Sequence, residues 1–254
     1  MKPFTIDVPD SVLDDLQARL ALTRFPAEAT DAGWTWGANL GYMKELVAYW
    51  QNEFDWRAAE RRLNEFPQFL APVSDPETGE AFDIHFVHVK SARVNATPLL
   101  ISHGWPGSFY ELLGIVEALV SPSSDDAPAF DVIIPSLPGY GFSSAPAQPI
   151  TPKHIARVFN SLVTDTLGHN KYVTQGGDWG SVITSWMGQL YPQHVIASHF
   201  NMLGLKPHMD RDSAPLSDAE KAWVKNLQGR MKQEGGYQAI QGTKPQTPAY
   251  GLTD

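Results

Sequence analysis

Apolar residues recur at helical spacing through the first eighty positions, then from about Phe82 gather into short runs divided by turn residues. Val12, Leu13, Leu16 and Leu20 fall on one face of a helix that Asp10 or Ser11 is placed to cap. Further helices are predicted over 42–50 and 55–63, with Pro26 and an aromatic loop at 31–37 between the segments. Residues 1–80 therefore read as mainly helical, an arm with more apolar face than it can bury alone. Beyond it, strands are predicted at 84–89, 97–102, 130–134, 172–174 and 195–201. Helices carrying Leu112 to Leu119, Ile150 to Leu167 and Val182 to Leu190 lie between them. Short buried strands alternating with helices predict an α/β chain with a parallel sheet. Past Gly204 the pattern leaves the sheet. Ser217, with Glu220 three residues on, predicts a capped helix to Lys232. Residues 242–254 read as loop.

Composition narrows the function classes. With 254 residues, 43% hydrophobic and 19% charged, the chain has room for one large domain or two small ones around a sizeable core. A formal net charge of -9 argues against nucleic acid or an anionic membrane as main partner. The absence of cysteine excludes disulfides, zinc–thiolate sites and cysteine nucleophiles, and fits a reducing cytoplasm. Met1 to Asp10 carry no apolar signal core, and no stretch near 18 uncharged apolar residues occurs, so a soluble chain without a membrane anchor is expected. The spacing of His85 and His88 carries no metal-ligand pattern, and no metal site is expected.

The candidate chemistry centres on Gly176-Gly177-Asp178-Trp179-Gly180, between an apolar run and an amphipathic one. Small–x–nucleophile–x–small on a strand-to-helix turn is the pattern of a nucleophile elbow, here with Asp where esterases carry Ser. A carboxylate attacks saturated, polarised carbon, as in an epoxide or alkyl halide, and forms an alkyl ester. The competing reading is a structural turn in which Asp178 caps the helix. A second motif, His103-Gly104-Trp105-Pro106, follows a strand end and precedes a helix. Its loop and the residue after the nucleophile would supply an oxyanion hole from the backbone amides of Trp105 and Trp179. The His103 ring itself reads as a core histidine, because the motif works through its backbone.

These motifs resemble the microsomal-type epoxide hydrolases. The matching pieces are residues 4–9, 20–26 and 50–57 in the arm, His103 to Glu111, Pro138 to Ser143, and Gly176 to Ser181, all in the family's order. The resemblance implies an α/β-hydrolase fold, a mostly parallel sheet flanked by helices, with an N-terminal helical meander and part of a helical lid. It places the arm at 1–80, the first half of the core at 81–204 and the start of the lid at 205–254. It implies that Asp178 attacks the epoxide while lid tyrosines hydrogen-bond its oxygen, after which a His oriented by an acid activates water to release a diol. Tyr237, in the segment 235–245, matches the first lid tyrosine, and Tyr250 is a weaker candidate read as structural. The arm wraps the core in that family, so Trp34 and Trp36 are expected to be packing residues. No cofactor is implied.

The chain departs from the family by stopping within the lid. No histidine follows His208, so none stands where the family carries its water-activating base. The expectation is a fragment that is alkylated at Asp178 and then stalls. Two other readings compete: a haloalkane dehalogenase, which also uses an Asp elbow, and a non-catalytic ligand-binding relative. A small apolar epoxide is the expected ligand, and apolar arm and lid surfaces make a homodimer the expected assembly.

Overall fold

Strand β1 (Lys2–Phe4) opens a computed structural model that describes residues 1–31, 33–203 and 215–253. Helices α1 (Asp10–Ala21), α2 (Leu40–Asn52) and α3 (Trp56–Leu63) follow, and then β2 (Gln68–Ser74). The arm expected to be mainly helical thus gives two strands to the sheet. β2 was hidden by Pro72, which weakens a strand reading. Here it is tolerated because β1 pairs only with Gln68 to Leu70, leaving Pro72 on an open edge where no N–H is required. Helix α1 starts after Pro9 with no side-chain cap, so neither Asp10 nor Ser11 fills that role. Instead Asp10 pairs with Arg57. Asn39 and Asp55 cap α2 and α3 through Tyr42 N–H (3.0 Å) and Ala58 N–H (2.9 Å).

The core continues with β3 (Ala81–Val89), β4 (Thr97–Ser102), a 3₁₀ segment (Phe109–Ile115) leading into α4 (Val116–Val120), and β5 (Phe130–Pro135). Next come α5 (Pro152–Ser161), which runs into a π turn (Leu162–Thr166), β6 (Tyr172–Gly176), α6 (Trp179–Leu190) and β7 (Val195–Phe200). The seven strands are ordered β1-β2-β3-β5-β4-β6-β7. β5, β4, β6 and β7 run parallel, and the arm strands and β3 join antiparallel.

One face of the sheet buries Phe86, Leu100 and Ile133 against Phe159 of α5 and Ile183 of α6. The other buries Leu99, Ile101 and Val132 against Phe109, Leu113 and Val116. Residues alternate between these faces along β4, which is why its run reads as continuously apolar. β7 closes the sheet with Ile196 61% exposed.

Met1–Leu203 forms one unit and Gly204–Asp254 a second. In the second, Ser217 and Glu220 make the expected capping box at α7 (Asp218–Glu234), followed by α8 (Gly236–Thr243). The segment expected as loop folds as α9 (Gln246–Thr253). Pro248 is tolerated because it lies in the first turn, where the helix needs no N–H from it. Trp34 and Trp36, expected to pack, are 63% and 83% exposed among the described residues. Their loop closes on itself through Gly37 N–H to the Trp34 carbonyl (3.3 Å), and the Trp34 ring keeps a contact with Tyr42, centroids 5.3 Å apart.

Candidate active site

The sheet order sets the site. β4 and β6 are neighbours in register, Ser102 beside Gly176, so the loops beginning at His103 and Gly177 leave the sheet side by side at its carboxyl edge. β5 flanks β4 on the other side, and its loop (136–143) brings the Tyr140 ring against His103. This is where chain order reverses across the sheet, the place where open α/β sheets bind ligands.

The turn from β6 into α6 is as sharp as the motif requires. Asp178 has φ 49° and ψ −125°, a conformation that L residues adopt only under constraint. Gly180 is obligatory, since a Cβ there would lie against the Ser102 carbonyl. Gly104 is equally constrained, because a Cβ would meet the Asp178 carboxylate. Asp178 makes no side-chain cap to α6. Its Oδ1 instead accepts the Trp105 N–H at 2.9 Å, across the gap between β4 and β6. The geometry therefore opposes the capping-turn reading: the carboxylate reaches out of its own helix to the neighbouring loop. Trp179, the first residue of α6, presents an N–H with no acceptor in its own helix. Ser181 N–H donates to the Gly177 and Asp178 carbonyls, and its hydroxyl donates to the Met202 carbonyl.

A cavity of about 360 Å³ opens beside the carboxylate, lined by Ser102, Trp105, Glu111, Leu112, Gln175 and Asn201 among others. The Ser102 hydroxyl and the Gln175 side-chain carbonyl are buried there without a hydrogen-bond partner among the described residues. Asp178 itself is exposed.

Tyr140, in the loop after β5, was not singled out from the sequence. Burial pushes its hydroxyl above the usual tyrosine pKa, and the negative charge of Asp178 adds to the shift. Its ring stands edge-on to His103, centroids 5.5 Å apart. The signal available was its place in the Pro138 to Ser143 segment, once β5 is known to lie beside β4. Tyr237 and Tyr250 lie in the second unit, on α8 and α9, and both are exposed. The Tyr237 hydroxyl accepts a hydrogen bond from Gln238 Nε2 at 3.0 Å.

A family profile described as the epoxide hydrolase N terminus matches residues 1–112, and one for the alpha/beta hydrolase fold matches 97–235. A putative epoxide hydrolase of Stigmatella aurantiaca is 38% identical over 99% of this chain and 56% of its own length. Epoxide hydrolase 1 of Sus scrofa is 35% identical over 100% of this chain and 59% of its own. The solved structure of Aspergillus niger epoxide hydrolase superposes with a TM-score of 0.85 at 31% identity, covering 100% of this chain and 66% of that one. The chain spans little more than half the length of these curated relatives.

Proposed function

Because the chain belongs to the α/β-hydrolase fold family and carries an epoxide hydrolase N-terminal region, we propose that it opens epoxides with Asp178 as nucleophile. The observation that carries this reading is the Trp105 N–H bond to Asp178 Oδ1. With Oδ1 engaged, Oδ2 attacks. Its electron pair bonds one epoxide carbon, the bond from that carbon to the ring oxygen breaks, and the oxygen keeps the pair and takes a proton. We assign that proton to the Tyr237 hydroxyl, an O–H donor. The product is a hydroxyalkyl ester of Asp178 in which Oδ1 has become the carbonyl oxygen. When water attacks that ester, charge develops on Oδ1, where Trp105 N–H already sits at hydrogen-bond distance, with Trp179 N–H as the second donor. Losing one such donor costs on the order of 3 kcal/mol.

The water must be activated by a general base. No histidine lines the cavity beside Asp178 among the described residues. His85 and His103 each engage both ring nitrogens, so we assign the hydrolytic step to neither. In this reading helices α7 to α9 belong to a helical lid, and the substrate is a small apolar epoxide. The setting is cytoplasmic and the assembly a homodimer, which light scattering tests. No helix among the described residues is long and apolar enough to cross a membrane.

The test is intact-protein mass spectrometry of the chain with styrene oxide, with peptide mapping, and a parallel incubation with a chloroalkane. An adduct of one epoxide on the Asp178 peptide, or diol in solution, is expected. Halide release from the chloroalkane with neither adduct nor diol would transfer the site to dehalogenation, and silence in both arms would leave a binding protein. Gly104→Ala bears on the same step. Its methyl group displaces the carboxylate from Trp105 N–H, and the adduct rate should fall on the order of a hundredfold, the usual effect of an ångström-scale misplacement.

A further inference from the structure

The Gly104 carbonyl and the Trp105 N–H are two ends of one planar peptide group and point in opposite directions. Whatever holds the carbonyl therefore aims the N–H. His103 holds it: the ring is 1% exposed, and Nδ1 lies 3.1 Å from the Gly104 carbonyl oxygen. On its far side Nε2 accepts the Leu137 N–H at 3.1 Å. A carbonyl only accepts and an amide N–H only donates, so the proton is on Nδ1 and Nε2 is bare. Burial and the Leu137 N–H favour the neutral ring, and the Gly104 carbonyl fixes which nitrogen keeps the proton.

The loop that His103 leans on is held from its other side. Gln68 Nε2 donates to the Leu63 carbonyl at 2.8 Å, which turns Oε1 toward His85. His85 Nε2–H donates to that oxygen at 2.9 Å, and its Nδ1 takes the Ser136 hydroxyl proton at 2.9 Å. Ser136 and Leu137 are consecutive, so two buried rings in opposite tautomers grip one turn of chain. Ser143 Oγ closes the turn onto the Ser136 carbonyl at 2.8 Å. Gln68 belongs to β2, so this bracing reaches from the arm to the nucleophile.

We propose that His103 is a positioning residue: locked as the Nδ1–H tautomer between Gly104 and Leu137, it aims the Trp105 N–H at Asp178, with His85 and Gln68 bracing the loop behind it. The role rests on the reading of Asp178 as nucleophile, and it extends the motif from its backbone to its ring.

Two measurements on the 254-residue chain test it. Nitrogen-detected NMR of the histidine rings should give His103 as the Nδ1–H form and His85 as the Nε2–H form. An Nε2–H His103 overturns the proposal whatever the activity. Second, adduct formation with styrene oxide is timed for His103→Asn and His103→Leu. Asn keeps an amide donor near the Nδ1 position and should stay within tenfold of the parent. Leu keeps bulk without a donor and should lose on the order of a hundredfold. A merely structural role predicts equal losses in both, or losses that follow the melting temperature, and either result overturns the positioning role. If His103→Leu fails to fold, the Asn variant and the spectrum decide. A parent chain that takes no label defeats the nucleophile reading instead, while the spectrum still judges the bracing.

Discussion

Asp178→Asn should leave the chain unlabelled by styrene oxide, with ester formation slowed on the order of a thousandfold or more. The substitution is close to isosteric. An Asn carbonyl still accepts the Trp105 N–H that Oδ1 accepts now, so fold and loop survive. What is lost is the anionic oxygen whose electron pair makes the new bond. Unfolding free energy should change by no more than about 0.5 kcal/mol, the scale of an exposed substitution. The same change removes the charge that helps hold the Tyr140 hydroxyl above its ordinary pKa, so Tyr140 should titrate lower in the variant. Asp178→Gly offers a contrast. The residue sits at φ 49°, a conformation costing about 1–3 kcal/mol for an L side chain. Glycine relieves that strain and should raise stability while abolishing the label. Labelling of Asp178→Asn at the parent rate would mean that the epoxide reacts elsewhere and that the elbow is only a turn.

The elbow was legible because its signal is local. Sharp turn, small neighbours and helix start all fall within five residues, and sterics demand glycine at Gly180. The meeting of Asp178 with Trp105 was legible through motif order alone, since nothing in the spacing of residues 105 and 178 says that β4 and β6 are neighbours. What stayed hidden depends on that adjacency or on tertiary context. Tyr140 reaches the site only because β5 flanks β4. β2 carries Pro72, tolerated because β1 covers just one end of the strand, and α9 carries Pro248, tolerated because the helix begins two residues earlier. His103 read correctly as a buried histidine, yet its importance lies in which groups its two nitrogens meet. Trp34 and Trp36 show the converse limit, since aromatic character alone does not say which side of a turn faces solvent.

Arg157→Leu should be the most destabilising single change in the first unit, and nothing in the sequence announces it. Arg157, on α5, and Asp75, just past β2, are 82 positions apart and form a two-pronged pair through Nε and Nη2. Asp75 is 1% exposed and Arg157 6%. Arg157 Nη1 also reaches Glu77 at 2.7 Å, but that carboxylate is largely in solvent and adds little. Removing the guanidinium leaves Asp75 buried without its cation, a change that costs about 3–5 kcal/mol and should lower the melting midpoint by roughly 10 °C.

The pH dependence separates this cause from simple loss of packing. Burial by itself would raise the Asp75 carboxyl. The Arg157 and Glu77 N–H hydrogen bonds and the Arg157 charge outweigh it and bring the group from 3.8 to about 2. A folded pKa below the unfolded one contributes stability above pH ~4 that is lost as the pH falls toward 2, about 2 kcal/mol in all. In Arg157→Leu burial, the largest influence, is opposed only by the Glu77 N–H and Thr78 hydrogen bonds, so the Asp75 pKa should rise above its unfolded value. That variant is then penalised at neutral pH and relieved on acidification, when the carboxyl protonates. The stability gap between parent and variant, from urea titrations at steps between pH 7 and pH 3, should therefore narrow as the pH falls. A gap that stays constant across that range would assign the loss to the packing of the arginine stem, and the charge pair would then not be what ties the arm's β2 to α5.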